Sequence, residues 1–149
     1  MSDLTKLIAP SFYGVHHDIK AGRHTHYWLK GGRGSTKSSF ISVEIILGMM
    51  QDAAANALVL RKVAVNLKDS VYEQLLWAIE ALGVENLWQA KLSLCSFPTS
   101  RQQRILFRGA DEPKKIKSTK FRKAIANTSG MRRRTSLQGC RKSAPSINP

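Results

Sequence analysis

Apolar residues crowd most densely between Ser38 and Met50, where Phe40, Ile41, Val43, Ile45, Ile46, Leu47, Met49 and Met50 surround a single charge, Glu44. Such density predicts a helix buried on most sides. Just upstream, His26-Tyr27-Trp28-Leu29 is a short aromatic and apolar run that reads as a buried strand. Downstream, Asp52 to Asn56 forms a connection, and Ala57-Leu58-Val59-Leu60 is a continuous apolar run closed by Arg61-Lys62. It reads as a second, parallel strand. From Asn66 to Leu82 a helical period returns, with Val71, Leu75, Leu76, Ile79 and Leu82 on one face and Gly83 placed to end the helix. Lys68, Asp69, Glu73 and Glu80 take the other positions.

The remaining segments are less regular. Leu92, Leu94 and Phe97 stand at near-alternate spacing, and Arg104-Ile105-Leu106-Phe107-Arg108 follows after Pro98. Two short strands joined by a hairpin-like loop are expected there. Gly109 to Pro113 is a turn, and Lys114, Lys115, Lys117 and Lys120 make a basic stretch. Residues 1–24 are expected to be an irregular lead-in, because Pro10, Gly14 and Gly22 interrupt any long pattern. Strands alternating with helices predict an α/β fold.

Between the first expected strand and the first helix lies Lys30-Gly31-Gly32-Arg33-Gly34-Ser35-Thr36-Lys37-Ser38. A glycine-rich turn ending in Lys-Ser can hold the phosphates of a nucleotide. The glycines let successive backbone N–H groups turn toward one anion, the lysine reaches the terminal phosphates, and the serine hydroxyl takes one place on magnesium. A helix beginning near Lys37 adds its N-terminal partial positive charge. ATP and Mg2+ are the expected ligands. The cofactor-binding candidates are Gly31, Gly32, Arg33, Gly34, Ser35, Thr36, Lys37, Ser38 and Ser39, with Ser38 the magnesium ligand. Thr36 stands where the usual pattern has its second glycine.

Composition narrows the class. A chain of 149 residues with 42% apolar content has the size of one domain and enough material for a core. It has no uninterrupted apolar run of about 18 residues and no signal-peptide pattern at Met1-Ser2-Asp3-Leu4, so no membrane association and a cytoplasmic location are expected. Cys95 and Cys140 are too sparse for a disulfide framework. His16, His17, His24 and His26 fit no standard zinc spacing and read as ordinary surface or turn residues. Phe12 and Tyr13 are candidates for stacking on an adenine, with core packing the plainer role. Arg61-Lys62 either faces the ligand edge of an open sheet or is a solvated pair closing a strand. The net charge of +14 favours a polyanionic partner, nucleic acid by default. Residues 123–149 supply six of the 24 basic residues and no acidic ones, leaving +8 on residues 1–122.

Taken together, the glycine loop, the Leu58-Val59-Leu60-Arg61-Lys62 strand end, Asp69-Ser70-Val71-Tyr72 and the stretch from Ile105 to Lys117 resemble the large subunit of a phage terminase, most closely its prophage branch. The resemblance runs from about residue 12 to residue 122. It implies a P-loop NTPase-like parallel sheet with flanking helices, here incomplete, from an ATPase that drives double-stranded DNA into a capsid. In the intact family this domain is joined to a nuclease and works with a terminase small subunit and the capsid portal. The resemblance gives Lys37 and Arg33 catalytic roles, the arginine as a guanidinium beside the terminal phosphate. It also demands a hydrophobic strand ending in acidic residues, yet no Asp or Glu follows Glu112. Efficient ATP hydrolysis by this chain is therefore not expected.

Residues 1–122 accordingly read as a partial terminase-like ATPase domain and residues 123–149 as a basic, disordered tail. A shifted reading frame near Lys123 accounts for that tail. Taking the third base of each codon with the first two of the next, synonymous choices over Ala124 to Leu137 permit Tyr-Cys-Lys-Tyr-Ile-Trp-Tyr-Glu-Glu-Ala-Asp-Glu-Phe. That is the missing hydrophobic strand running into acidic residues. The expected function is an ATP-binding remnant of a terminase large subunit. The alternatives are a non-enzymatic basic module that binds nucleic acid, or a fragment of another phosphate-loop ATPase.

Overall fold

The computed structural model describes residues 4–32, 34–61, 71–89, 103–109 and 123–129, the last as backbone alone. Among them, strands β1 (Ala55–Arg61), β2 (Ile105–Gly109) and β3 (Lys123–Ser129) form a parallel sheet in the order β2-β1-β3. Ala57 is opposite Ile105 on one side of β1 and Ile125 on the other, and Arg61 is opposite Gly109 and Ser129. A strand flanked on both edges and covered by helices explains the unbroken apolar run in β1, where Ala57, Leu58, Val59 and Leu60 are all buried.

Helix α3 (Lys37–Gln51) is the helix expected from the densest apolar run. It buries Phe40, Val43, Ile45, Ile46 and Met49 in one cluster with Ala57 and Val59 of β1. Five such side chains contribute on the order of 10 kcal/mol of gross hydrophobic stabilisation. The reversal from α3 into β1 is local chemistry: Asp52 accepts the Ala54 N–H on its carboxylate at 2.9 Å and the Ala55 N–H on its carbonyl at 3.0 Å. With 15 residues α3 is about 22 Å long, and β1 with 7 residues is about 23 Å. The first turn of α3 therefore stands level with the carboxyl end of β1, the edge where open parallel sheets bind ligands.

Helix α4 (Glu73–Leu82) ends at Gly83, as the sequence predicts. Gly83 adopts φ 66° and ψ 38°, its N–H donates to Glu80 O, and the Val84 N–H donates to Ile79 O. These paired bonds satisfy the last carbonyls of the helix, and only glycine takes the left-handed position without strain. Residues 66–70, the earlier part of that predicted helix, lie outside the described residues.

Three expectations need correction. Residues 4–20 are not an irregular lead-in: they form α1 (Leu4–Leu7), a single 3-10 turn (Pro10–Phe12) and α2 (Tyr13–Lys20). Pro10 begins the 3-10 turn, where a missing N–H costs nothing. Leu4, Ile8, Phe12, Val15 and Ile19, spaced by four, four, three and four, all pack on the core. His26-Tyr27-Trp28-Leu29 is not a strand; it makes no strand pairing, and Trp28 is 78% exposed. Residues 105–109 do extend into a strand, and β2 pairs in parallel with β1; its expected hairpin partner, Leu92 to Phe97, lies outside the described residues. Glu85–Leu87 is a 3-10 turn, and residues 90–102 lie outside the described residues.

The third correction concerns the start of the basic tail. Lys123–Ser129 is strand β3, in register with β1 over seven residue pairs. Backbone pairing to a strand edge needs no alternating side-chain pattern, so composition gave no sign of it. Residues 130–149 lie outside the described residues.

Candidate phosphate-binding loop

The loop before α3 is held by its own side chains. Ser35 Oγ donates to the Gly32 carbonyl at 2.8 Å, and Thr36 Oγ1 donates to the Ser35 carbonyl at 2.8 Å. Lys37 turns back from the first turn of α3, so that its Nζ donates to the Gly32 carbonyl at 3.0 Å and to Ser35 Oγ. Gly34 and Thr36 both lie in the left-handed region, at φ 75° and 54°. Among the described residues Thr36 alone does so without being glycine, which shows why the usual pattern places glycine there.

Space in the loop is unevenly shared. A Cβ on Gly31 would stand 3.0 Å from Lys37 Nζ and 3.2 Å from Ser35 Oγ, so this glycine leaves room for the ammonium. Gly32 and Gly34 have open space where a side chain would begin. No side chain caps α3, and its first helical hydrogen bond is Phe40 N–H to Thr36 O at 3.0 Å. Its N-terminal amides thus retain their capacity for an anion. A polyphosphate fits this donor set of uncapped amides, one ammonium and a bare glycine surface.

Of the sequence candidates, Gly31, Gly32, Gly34, Ser35 and Thr36 line the loop, while Lys37, Ser38 and Ser39 form the first turn of α3. Arg33 lies outside the described residues. Ser38 is exposed and offers one oxygen. Magnesium prefers six oxygens, so phosphate and water would have to supply the others. Among the described residues no three His, Cys, Asp or Glu side chains come together as a metal site.

Phe12 and Tyr13 belong to the core side of the loop helix. The Phe12 ring stacks on Phe40 with centroids 4.6 Å apart, and Tyr13 donates its hydroxyl to the Thr5 carbonyl at 2.9 Å.

Gln74, His16, Glu44 and Gln103, all in contact with α3 or part of it, were not singled out from sequence as site residues. Gln74 of α4 donates from Nε2 to Ser39 Oγ at 3.3 Å, tying α4 to the loop helix. His16 Nδ1 meets Glu44 Oε1 at 2.6 Å, with both side chains largely covered. Burial raises the Glu44 pKa above its ordinary value, and the His16 hydrogen bond and charge act the other way. A lone charge in so apolar a helix is a signal that a partner exists, although it does not say which. Gln103 has its amide buried at the end of α3 away from the loop. Nothing local distinguishes it from a solvated polar residue preceding a strand.

Residues 23–128 match the family model described as phage terminase large subunit. The chain is 43% identical over 123 residues to "Terminase, large subunit" of Bacillus phage SPP1, covering 80% of this chain and 28% of that protein. It is 33% identical over 94 residues to "PBSX phage terminase large subunit" of Bacillus subtilis (strain 168), covering 63% of this chain and 22% of that protein. The chain thus spans between a fifth and a third of the length of these relatives. The family match ends inside β3, six residues beyond the boundary expected at residue 122.

Proposed function

The chain belongs to the phage terminase large-subunit family, and from that premise we propose that it is an ATP-binding segment of a DNA-packaging ATPase with a P-loop NTPase-like fold. One observation carries this reading. The loop Gly31–Ser35 receives the Lys37 ammonium and opens onto the uncapped first turn of α3, level with the carboxyl edge of a parallel sheet.

In this reading the α3 amides and Lys37 bind the β- and γ-phosphates, and Ser38 supplies one oxygen to Mg2+. Bound Mg2+ neutralises charge on the phosphate oxygens. Arg33 would face the terminal phosphate, as the family resemblance implies. The glycine positions let the chain approach the anion without side chains intervening.

Turnover needs carboxylates that this polypeptide does not place on its third strand. In the family they stand at the end of a hydrophobic strand, whereas β3 reads Lys-Ala-Ile-Ala-Asn-Thr-Ser over residues 123–129 and no acidic residue follows Glu112 in the 149 residues. A shifted frame would restore Glu-Glu-Ala-Asp-Glu directly beyond that strand. The 149-residue polypeptide is therefore proposed to bind ATP without efficient hydrolysis. Double-stranded DNA, a terminase small subunit and a capsid portal are the partners proposed for the longer protein.

Calorimetric titration with ATP and Mg2+, wild type against Lys37→Ala, tests the binding reading. The expected result is saturable binding lost in the variant, with no phosphate release. Magnesium-dependent hydrolysis abolished by Lys37→Ala would show that acidic groups are supplied otherwise. Translating the DNA beyond codon 122 in the other two frames tests the frameshift, and stop codons there would make the basic tail native. The net charge of +14 supports a second reading, a basic module that binds nucleic acid. That module would bind DNA with an affinity that falls steeply with salt and is indifferent to ATP.

A further inference from the structure

Resting on the phosphate-site reading, we infer that Ser35 is a positioning residue which parks the Lys37 ammonium inside the ligand-free loop, so that polyphosphate must displace a built-in latch to bind. Lys37 Nζ has three N–H donors and directs two of them inward, to the Gly32 carbonyl at 3.0 Å and to Ser35 Oγ. Ser35 in turn directs its own proton to the same Gly32 carbonyl, at 2.8 Å. The three groups close a ring in which one carbonyl accepts from both the ammonium and the hydroxyl.

The arrangement opposes an anion for two reasons. A carbonyl oxygen directed at the ammonium holds partial negative charge where a phosphate oxygen would sit. The Lys37 ammonium is meanwhile engaged by neutral acceptors of the loop itself. Binding therefore exchanges Gly32 O and Ser35 Oγ for phosphate oxygens at Nζ, and the Gly32 carbonyl must turn away. Gly32 is suited to that rotation, because it has no Cβ and nothing lies within 4 Å of where one would be. Gly31 completes the latch from the other side, since a side chain there would press on Lys37 Nζ at 3.0 Å.

A binding-competent loop populated only in part lowers apparent affinity by that fraction. Removing the Ser35 hydroxyl should release the lysine and raise affinity. The test uses the full 149-residue chain, with inorganic tripolyphosphate and ATP as probes, and compares wild type, Ser35→Ala and Ser35→Thr. Nitrogen-15 spectra of the lysine ammonium groups give a readout that a loss of general stability would not mimic. In the ligand-free wild type one ammonium signal, absent in Lys37→Arg, should be protected from exchange. It should be lost in Ser35→Ala and kept in Ser35→Thr, which retains the hydroxyl.

Tripolyphosphate should bind Ser35→Ala about five- to tenfold more tightly than wild type, and more tightly than Ser35→Thr, which keeps the hydroxyl. Equal or weaker binding by Ser35→Ala, or a Lys37 signal unchanged by that substitution, would overturn the latch and leave the phosphate site standing. No binding of either probe to any of the three proteins would overturn the phosphate site, and the latch with it.

Discussion

The side chain of Gln103, at the entrance to β2, donates from Nε2 to the Met49 carbonyl at 2.8 Å, in the last turn of α3. The same amide lies 2.7 Å from Asp52 O and 2.9 Å from Ala55 O. One buried group therefore serves the end of the loop helix, the reversal and the start of β1. Because α3 carries the glycine loop on its other end, this contact fixes the helix on the sheet and with it the height of the loop.

Gln103→Leu keeps most of the volume but leaves those carbonyls short of a donor in a place where Gln103 is only 3% exposed. Leaving a buried polar group unmatched costs about 1–3 kcal/mol. A fall of that size in unfolding free energy is expected in urea titrations. An unchanged midpoint would show that the carbonyls find other donors.

The stacked pair Phe12 and Phe40 joins the N-terminal helices to α3. Phe40 is 2% exposed, and Phe40→Ala should cost about 3–5 kcal/mol through lost transfer energy and a cavity. A double-mutant cycle with Phe12→Leu should return a coupling of about 0.5–1.5 kcal/mol. Additive effects would mean that the rings share the core without acting on one another.

Thr36 holds φ 54° and ψ 10° immediately before the loop helix. Left-handed backbone costs a residue bearing a Cβ about 1–2 kcal/mol, and glycine loses about 0.5–1 kcal/mol of that gain to the freedom of its unfolded chain. Thr36→Gly is expected to stabilise the fold by about 0.5–1 kcal/mol, visible as a higher melting temperature. A lower melting temperature would show that the 2.8 Å bond from Thr36 Oγ1 to the Ser35 carbonyl outweighs the strain.

Glu44 makes stability depend on pH in a direction that can be worked out. Burial holds its carboxyl above the ordinary value of 4.5, so the folded state keeps the proton more firmly than the unfolded one. Its stabilising contribution is then complete below 4.5 and is lost as pH rises through the folded value. Glu44→Gln has no such loss and can still bond to His16. Relative to wild type, the variant should gain stability as pH climbs from about 4 to about 7. A gain in the opposite direction in paired urea titrations would show that the His16 contact dominates desolvation.

Local pattern alone was sufficient for α3, for the end of α4 at Gly83 and for the apolar run of β1, because each depends on residues adjacent in the chain: a dense apolar period, a glycine at a left-handed turn, a buried strand between helices. The glycine loop was legible for the same reason, since Gly31 to Ser38 carry their chemistry in their order. The N-terminal helices were also written in the sequence, in the spacing of Leu4, Ile8, Phe12, Val15 and Ile19, but Pro10 and Gly14 drew attention to the breaks. Tertiary structure alone decided which edges of β1 are paired. It gave β2 a parallel partner in β1 and enlisted Lys123–Ser129 as β3. Strand pairing joins backbone groups far apart in the chain, and no local residue preference encodes it. The return of Lys37 to Gly32, the His16–Glu44 pair and the three carbonyls around Gln103 are likewise properties of the folded chain, because each requires side chains to meet groups that only the fold brings within reach.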